Sequence, residues 1–389
     1  MKLIEMKLIN MINTHNNEPE ISVILPCQNE EQALPFCLKQ IKETIKKNNL
    51  SAEIIVSDSS TDKSPEIAKR ENVVLVKHDK DGYGLAYLEA FKIAKGKYIF
   101  MADADGTYDF GEIPNFIKYL REGYDFVLGN RFAGKIEKGA MPLQNKYLGN
   151  PILSGILRIF FKTKIKDSHC GMRAITKKAL QKLNLQTAGM EFASETIIKA
   201  LKNNLKIKEI PINYYKRKGL SKLRPFSDAW KHIRFMLLYS PLFLFFIPGL
   251  ILFLTGSSLM VWFLFSNPGA VEEKLFFHLM FLSALLTIIG YQLVVFSVFA
   301  KTYSIVHLKE QSPIMEKLYK YITIEKASTV GVIIGLFGII IYFLAKQPNS
   351  EFNQLREIKS SITALILIAI GAQTIFSSFM LSILGIKEK

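Results

Sequence analysis

Cysteine is scarce in this sequence, and no cysteine stands where a metal or a disulfide framework would need one. The chain has 3 cysteines, Cys27, Cys37 and Cys170, without a Cys-x-x-Cys pair. Such an odd, scattered set excludes a disulfide scaffold and a zinc centre and favours reduced thiols in the cytosol. Residues 1–20 lack a continuous apolar core and a small-residue cleavage site, so we expect no signal peptide.

Charge is distributed unevenly along the chain. The sequence has 50 Lys and Arg against 34 Asp and Glu, a formal net charge of +16, and no aspartate follows Asp228. Residues 235–389 contain only 11 basic and 8 acidic residues. The basic surplus of the front part lacks an aromatic stacking platform, so we expect no nucleic-acid partner.

The back part contains four long stretches without Asp, Glu, Lys or Arg. A helix needs about 20 apolar residues to cross a bilayer, so the sequence predicts a multi-pass integral membrane domain over residues 241–389. The four predicted spans are residues 241–265, 275–300, 327–345 and 361–386.

The loops between the spans indicate an orientation. Residues 301–326 carry five lysines and residues 266–274 carry one, which by the positive-inside rule places the front part in the cytoplasm. The three basic residues of 346–360 weigh against this orientation. We expect the cell membrane of a prokaryote as the location.

The front part alternates short apolar runs with helical segments, which is typical of a mostly parallel, Rossmann-like α/β sheet. The predicted domain covers residues 21–225 and follows an N-terminal extension, residues 1–20. Strands are predicted at residues 21–26, 53–57, 73–77, 98–102 and 125–129, and helices at 30–47, 64–70 and 86–94.

Polar turns follow the first four predicted strands. Ligands of open α/β sheets bind beyond the carboxyl ends of the strands, and these ends meet at one edge. The sequence therefore predicts a binding crevice at this edge. The turns are Pro26–Glu30, Asp58–Asp62, the glycine-containing turn Asp81–Gly84, and Asp103–Asp105.

Asp103 and Asp105 form an Asp-x-Asp pair directly after a very apolar strand. At a strand end the chain can turn so that both carboxylates face one crevice. Two carboxylates beside a diphosphate repel it unless a divalent cation lies between them. The pair therefore predicts bound Mg²⁺ or Mn²⁺, which neutralises charge on a departing nucleoside diphosphate.

As a set, these motifs resemble the family 2 glycosyltransferases of the GT-A fold, over residues 21–234. The later segments resemble the polyprenyl-phosphate branch, which includes the dolichol-phosphate mannose and glucose synthases. The motifs are Pro26-x-x-Asn29-Glu30, Asp58 with Ser-Ser-Thr-Asp, Asp103-x-Asp105, Gly129–Phe132, Asp167–Arg173 and Arg217–Leu223.

This resemblance implies an activity. A hexose would pass, with inversion, from a nucleotide-sugar to the phosphate of a membrane polyprenol, either dolichyl or undecaprenyl phosphate. The sequence does not identify the donor among UDP-glucose, UDP-N-acetylhexosamine and GDP-mannose.

The resemblance also implies roles for single residues of the nucleotide-sugar site. Asp58 would hold the nucleobase or ribose, with the turn of Pro26, Asn29 and Glu30 beneath it. Asp103 would contact the nucleotide.

For the metal, the resemblance makes Asp105 the main ligand and a catalytic residue, beside Asp103. Some relatives have Gln two places after the second Asp, where this chain has Thr107. Thr107, Asp109 or water would then complete the metal shell.

The acceptor can be considered from its chemistry. A polyprenyl phosphate is already an anionic nucleophile and needs no general base, but cations must hold two phosphorylated substrates together. Arg131, directly after the fifth strand, and Lys146 are the predicted catalytic cations. Arg217, Ser221 and Lys222 resemble the flexible segment that closes on the donor diphosphate.

Two segments are predicted to lie at the bilayer surface. Residues 147–164 and 226–240 mix apolar residues with Arg, Lys and Trp230, which indicates interfacial helices at headgroup level. They would bring the crevice within reach of a phosphate that stays at the bilayer surface.

Other interpretations remain open. A membrane polysaccharide or glycolipid synthase uses a hydroxyl acceptor, but the Gln-x-x-Arg-Trp motif of the processive synthases is absent. A nucleotidyltransferase would have a glycine-rich loop with Arg or Lys after the first strand. A non-catalytic scaffold or lipid-translocation helper is disfavoured by the retained Asp58, Asp103, Asp105 and Arg131.

Overall fold

The computed structural model describes residues 18–219, 225–266, 273–307, 319, 323–345 and 353–385. The chain divides between Tyr239 and Ser240 into two compact units. The first unit contains a β-sheet, and the second contains long helices. Most of the predicted N-terminal extension, residues 1–17, lies outside the described residues.

The first unit is built on a seven-stranded sheet with the order β3-β2-β1-β4-β6-β5-β7. The strands are parallel except β6, which runs antiparallel to both β4 and β5. This mostly parallel sheet confirms the predicted fold class. The strands are β1 (Ile21–Cys27), β2 (Ala52–Asp58), β3 (Val74–Lys77), β4 (Tyr98–Met101), β5 (Phe126–Asn130), β6 (Arg173–Thr176) and β7 (Ile207–Pro211).

Helices connect these strands. A 3₁₀ turn, Phe110–Glu112, precedes α4, and a π-helical turn, Asn145–Gly149, precedes α5. The helices are α1 (Leu34–Lys47), α2 (Ser64–Arg70), α3 (Tyr83–Phe91), α4 (Ile113–Arg121), α5 (Asn150–Phe161), α6 (Lys177–Leu183), α7 (Phe192–Lys202) and α8 (Pro225–Leu238).

Strand β1 is buried on both faces, because hydrophobic clusters lie on each side of the sheet. Successive side chains of a strand point to opposite faces. Val23 and Leu25 accordingly pack with Phe116 in one cluster, whereas Ile24 packs with Phe126 in the other.

The strand register brings the polar turns to one edge. Cys27 at the end of β1 pairs with Asp58 at the end of β2, and β4 ends at Met101, just before the Asp-x-Asp pair. Met101 also pairs with Arg173, the first residue of β6. Because β6 is antiparallel, it begins where β4 ends, and the loop Asp167–Met172 before it reaches the same edge.

The described residues of the second unit include four helices that are long and apolar enough to cross a membrane, which confirms the predicted membrane region. Helices α10 and α12 extend beyond the predicted spans, because they continue through charged residues such as Lys301 and Arg356. The helices are α9 (Ile247–Phe265), α10 (Glu273–His307), α11 (Ile324–Ala345) and α12 (Asn353–Gly385), and a π-helical turn, Leu242–Phe246, precedes α9.

Glycines allow helices of this unit to approach closely. A Cβ atom on Gly371 would lie 2.6 Å from the backbone nitrogen of Gly335, and one on Gly331 would lie 2.8 Å from the carbonyl oxygen of Gly371. Helices α11 and α12 therefore touch backbone to backbone. Gly256 of α9 meets the backbone of Thr287 on α10 in the same way.

Candidate active site

Asp58 lies at the carboxyl edge of the sheet as a fully buried carboxylate. Neither of its oxygen atoms has a hydrogen-bond partner among the described residues. Burial and this neighbouring carboxylate raise the pKa of the Cys27 thiol to about 12, so the thiol stays protonated. A buried carboxylate without partners is costly unless a ligand donates to it.

Asn29 connects the first two polar turns. It has a left-handed backbone conformation with φ of 53°, which asparagine tolerates better than most residues. Its side-chain oxygen accepts a hydrogen bond from the backbone nitrogen of Thr61 at 2.8 Å. The predicted nucleotide contact Asn29 therefore also joins the turn after Pro26 to the turn after Asp58.

Asp103, like Asp58, has a buried carboxylate oxygen, Oδ1, to which no described residue donates. A Cβ atom on Gly171 would lie 2.5 Å from its Oδ2 atom, so a larger residue at position 171 would displace the Asp103 carboxylate. Burial and the nearby Asp105 raise the pKa of Asp103 to about 7, and the Tyr83 hydroxyl opposes this rise. Asp103 is thus well placed to receive a positive charge.

The glycine-containing turn after β3 places Tyr83. Backbone atoms of a second loop pass so close that a Cβ atom on Gly82 would lie 2.4 Å from the oxygen of Ala188, and one on Gly84 would lie 2.1 Å from the oxygen of Thr187. Gly82 also has φ of +148°. The two glycines are therefore required by chain packing.

Asp105 is surrounded by donors. The backbone nitrogen and the hydroxyl of Thr107 donate to its Oδ1 atom at 3.0 and 2.6 Å. Arg217 donates from Nη1 to its Oδ2 atom at 3.1 Å and pairs through Nη2 with Glu30. Thr107, predicted as a metal ligand, thus directs its hydroxyl hydrogen at Asp105.

Backbone hydrogen bonds carry Arg217 to this position. After β7 the chain passes the acidic turn, where Tyr215 donates to the carbonyl of Thr107 and Lys218 donates to the carbonyl of Asp105, both at 2.9 Å. Gly106, with φ of +77°, makes room for Lys218. Ser221 and Lys222, the other predicted residues of this segment, lie outside the described residues.

Arg131 is buried in an ion pair with Asp167. Its Nε and Nη2 atoms donate to the two carboxylate oxygens at 2.8 Å each, and its backbone nitrogen donates at 3.0 Å. The guanidinium also lies 5.3 Å from the ring centre of Tyr214. Its charge is one of the weaker influences that lower the pKa of Asp103. Arg131 directly follows β5, whose carboxyl end lies at the same edge of the sheet as that of β4.

The loop that carries Asp167 is tied to helices α5 and α8. The Ser168 hydroxyl lies 3.0 Å from the hydroxyl of Ser154 on α5. The His169 ring lies edge-on, 4.3 Å from the ring of His232 on α8. Burial lowers the pKa of His169 well below its ordinary value and that of His232 to about 4, so both rings are neutral at pH 7.

Helices α5 and α8 pack against each other and expose apolar side chains. Leu157 and Met236 lie in their shared core. Tyr147, Ile159 and Trp230 are 64%, 64% and 60% exposed. Large exposed apolar side chains of this kind are typical of surfaces that contact a membrane or another protein. The exposed residues fit the predicted interfacial helices, and Lys146 lies over the Tyr147 ring at 5.3 Å.

The residues present fit a hard divalent cation. Asp103 offers an unpaired buried oxygen, and Asp105 lies next in the turn; oxygen ligands suit Mg²⁺ and Mn²⁺. The described residues contain no group of three or more His, Cys, Asp or Glu that can hold a metal. A cation at this site would therefore take further oxygens from its substrate.

Sequence reasoning missed two contacts. The resemblance predicts that Glu30 lies beneath the nucleotide, and in the structure its carboxylate pairs with Arg217. Asp167 belongs to one of the sequence motifs and is a plausible structural partner or sugar contact, but the sequence does not predict its pairing with Arg131. The partners are 187 and 36 residues apart, so no local pattern reveals them.

Comparison with known proteins identifies the family and similar chains. Residues 22–183 match the model of glycosyl transferase family 2, and residues 298–385 match the C-terminal transmembrane region of that family. A solved structure of glucosyl-3-phosphoglycerate synthase from Mycobacterium tuberculosis, with Mn²⁺, UDP and glucosyl-3-phosphoglycerate, is similar with a TM-score of 0.46 and 19% identity, over 57% of this chain and 80% of that chain.

Two relatives come from Haloferax volcanii. The dolichyl-phosphate hexose transferase is 30% identical over 54% of this chain and 89% of its own length. The low-salt glycan biosynthesis hexosyltransferase Agl6 is 36% identical over 94% of this chain and 89% of its own length. The chain is thus an integral membrane glycosyltransferase and belongs to glycosyltransferase family 2.

Proposed function

We propose that the protein transfers a hexose from a UDP- or GDP-sugar to a polyprenyl phosphate, with inversion at the anomeric carbon. The product is a lipid-linked sugar that serves as a donor for glycan, lipid or protein glycosylation. The observation that carries the proposal is a pair of buried carboxylates, Asp58 and Asp103, with oxygens to which no described residue donates. They lie at the edge of the sheet where Arg217 pairs with Asp105.

The donor fits this edge. Asp58 accepts hydrogen bonds from the nucleobase or ribose, since its oxygens have no partner among the described residues. Arg217 offers a cation for the diphosphate. The turn of Pro26 and Asn29 lies beside Asp58 in the register and supports the nucleoside.

Asp103 and Asp105 would hold Mg²⁺ or Mn²⁺, with Thr107 orienting Asp105. When bound, the cation neutralises the charge that develops on the departing nucleoside diphosphate. The two acids therefore take part in leaving-group departure, and Asp105 is the residue on which we expect activity to depend most.

The acceptor reacts without a general base. A phosphate oxygen of the polyprenyl phosphate forms a bond to the anomeric carbon, and the bond from that carbon to the diphosphate oxygen breaks, with the electron pair leaving on the nucleoside diphosphate. No proton is transferred, because the attacking oxygen is already ionised. Arg131 and Lys146 attract the acceptor phosphate, and the step requires no base such as His169.

The acceptor is suggested by the membrane features. A polyprenyl phosphate keeps its phosphate at the headgroups, where helices with exposed apolar residues such as Ile159 and Trp230 would lie. The name of the dolichyl-phosphate hexose transferase of Haloferax volcanii supports the same acceptor class. With the lysine-rich segment 301–326 in the cytoplasm, the crevice is cytoplasmic.

A labelling experiment tests the proposal. Membranes that contain the protein are incubated with radiolabelled UDP-glucose, UDP-N-acetylglucosamine or GDP-mannose, with added polyprenyl phosphate. We expect one label to enter the organic-solvent extract in an acid-labile form. In membranes that contain Asp105→Asn, we expect no label in this extract. Label that enters only a water-soluble polymer or an acid-stable glycolipid contradicts the proposed acceptor.

A further inference from the structure

Arg217 contacts two carboxylates at once. Its Nη1 atom is 3.1 Å from Oδ2 of Asp105, and its Nη2 atom pairs with Glu30. The other oxygen of Asp105 already accepts two hydrogen bonds from Thr107. Both oxygens of the proposed metal ligand are thus engaged, and one of them by a positive charge.

We propose that Arg217 and the divalent cation compete for Asp105, and that Glu30 is the positioning residue that retains Arg217 when the cation binds. This inference rests on the proposed function and deepens it. It states how one site admits both its cation and its donor.

The charges of the site support this exchange. Two positive charges on one carboxylate oxygen repel each other, so a cation at Asp105 displaces the nearest guanidinium nitrogen. Glu30 is 8% exposed, and a carboxylate at this position repels a diphosphate. Glu30 is therefore better suited to holding Arg217 than to contacting the donor directly.

The backbone supports the exchange as well. The hydrogen bonds of Tyr215 and Lys218 to the acidic turn fix the chain around Arg217, so only the side chain needs to turn. The Arg217 side chain is 23% exposed, which leaves room for that motion. A donor diphosphate offers the released nitrogen a new acceptor, so cation and donor should bind cooperatively.

Metal binding without any substrate tests the competition. The full-length protein in detergent is titrated with Mn²⁺, and free Mn²⁺ is followed by electron paramagnetic resonance. We expect Arg217→Ala to bind Mn²⁺ about tenfold more tightly than the unmodified protein. The matched control Arg217→Lys keeps the charge and should stay near the unmodified value, while Asp105→Asn should remove the binding in each background.

Adding UDP and GDP tests the cooperativity. In the unmodified protein we expect the better-binding nucleotide to strengthen Mn²⁺ binding about tenfold more than it does in Arg217→Ala. Mn²⁺ affinity in Arg217→Ala that is equal to or below the unmodified value overturns the competition, as does equal enhancement by nucleotide in both proteins.

Glu30 is tested by a double-mutant cycle. Glu30 and Asp105 are the two carboxylates that pair with Arg217 among the described residues. Glu30→Gln should therefore weaken Mn²⁺ binding about threefold more when Arg217 is present than in Arg217→Ala. The double variant also avoids leaving one buried charge unpaired, and its melting temperature reports folding. Equal effects in both backgrounds remove the positioning role. None of these titrations uses a sugar or a lipid, so they stand apart from the labelling test of the acceptor.

Discussion

Two arginines at the carboxyl edge of the sheet meet carboxylates in different ways. Arg131 makes two parallel bonds to the single acid Asp167, and both side chains are buried, at 7% and 0% exposure. Arg217 divides its bonds between Glu30 and Asp105 and is more exposed.

This difference separates a fixed arginine from an exchangeable one. A buried bidentate pair holds both partners in one geometry, and removing either leaves a buried charge. A guanidinium shared by two acids can give up one and keep the other. We therefore expect Arg131 to hold a constant positive charge beside the acceptor, and Arg217 to move with the donor.

The largest expected effect concerns the acid that Arg217 shares. Asp105→Asn should lower transfer of sugar to the lipid fraction at least about a thousandfold, because the proposed cation loses its main ligand. Arg217 keeps Glu30, so the melting temperature should change little. Transfer at a normal rate in this variant would remove the role of Asp105.

The fixed pair should fail differently. Asp167→Asn leaves Arg131 buried without its counter-charge, which should cost about 3–5 kcal/mol of folding stability. For a unit of this size the melting temperature should fall by about 10 °C. The combined Arg131→Met and Asp167→Leu variant should regain most of the stability but stay inactive. An Asp167→Asn variant with the melting temperature of the unmodified protein would contradict a stabilising role for the Arg131–Asp167 pair.

These contacts show where sequence reasoning reaches its limit. Strands β1 and β4 are continuous apolar runs because they are buried on both faces, so they and the turns after them are predictable. Strands β6 and β7 have no such run, and their pairing depends on distant neighbours.

The same limit applies to the site. Asp58, Asp103 and Asp105 are predictable because each follows a strand end directly. The pairing of Arg131 with Asp167 arises from tertiary structure, since the loop before an antiparallel strand carries the acid. Which of these residues contact substrate stays a prediction.

A moderate effect of pH on folding stability is expected from His232, which contacts the loop that carries Asp167. Burial keeps the pKa of His232 at about 4, below its ordinary value. As the pH falls below about 6.5, the unfolded chain takes up a proton that the folded chain does not, so stability declines down to about pH 4. At pH 5 the loss should be about 2 kcal/mol.

The variant His232→Asn tests this assignment. Asparagine can keep the hydrogen bond to Ser194 but does not ionise. Between pH 7 and pH 5 its melting temperature should therefore fall less than that of the unmodified protein. Equal falls would show that the ring does not exclude the proton.

The smallest expected effect concerns Trp230, which should influence the acceptor side of the crevice, near Arg131, and not the donor side, near Arg217. Trp230 is exposed on α8, and α8 reaches the loop of Asp167 through His232 and His169. Trp230→Ser should raise the KM for polyprenyl phosphate about threefold, since an interfacial tryptophan contributes only modestly. The KM for the nucleotide-sugar should not change, because Arg217 is held by the acidic turn.

Val74→Ser provides the matched control, since Val74 is an exposed apolar residue on the edge strand β3 and should leave both constants unchanged. The chain has 2 tryptophans, so a Trp262→Phe variant leaves Trp230 as the single fluorophore. Lipids brominated near the headgroup should quench its fluorescence if α8 lies at the bilayer surface. Unquenched fluorescence would show that α8 does not lie at the bilayer surface. An equal rise of both KM values in Trp230→Ser would show that Trp230 does not act on the acceptor side of the crevice alone.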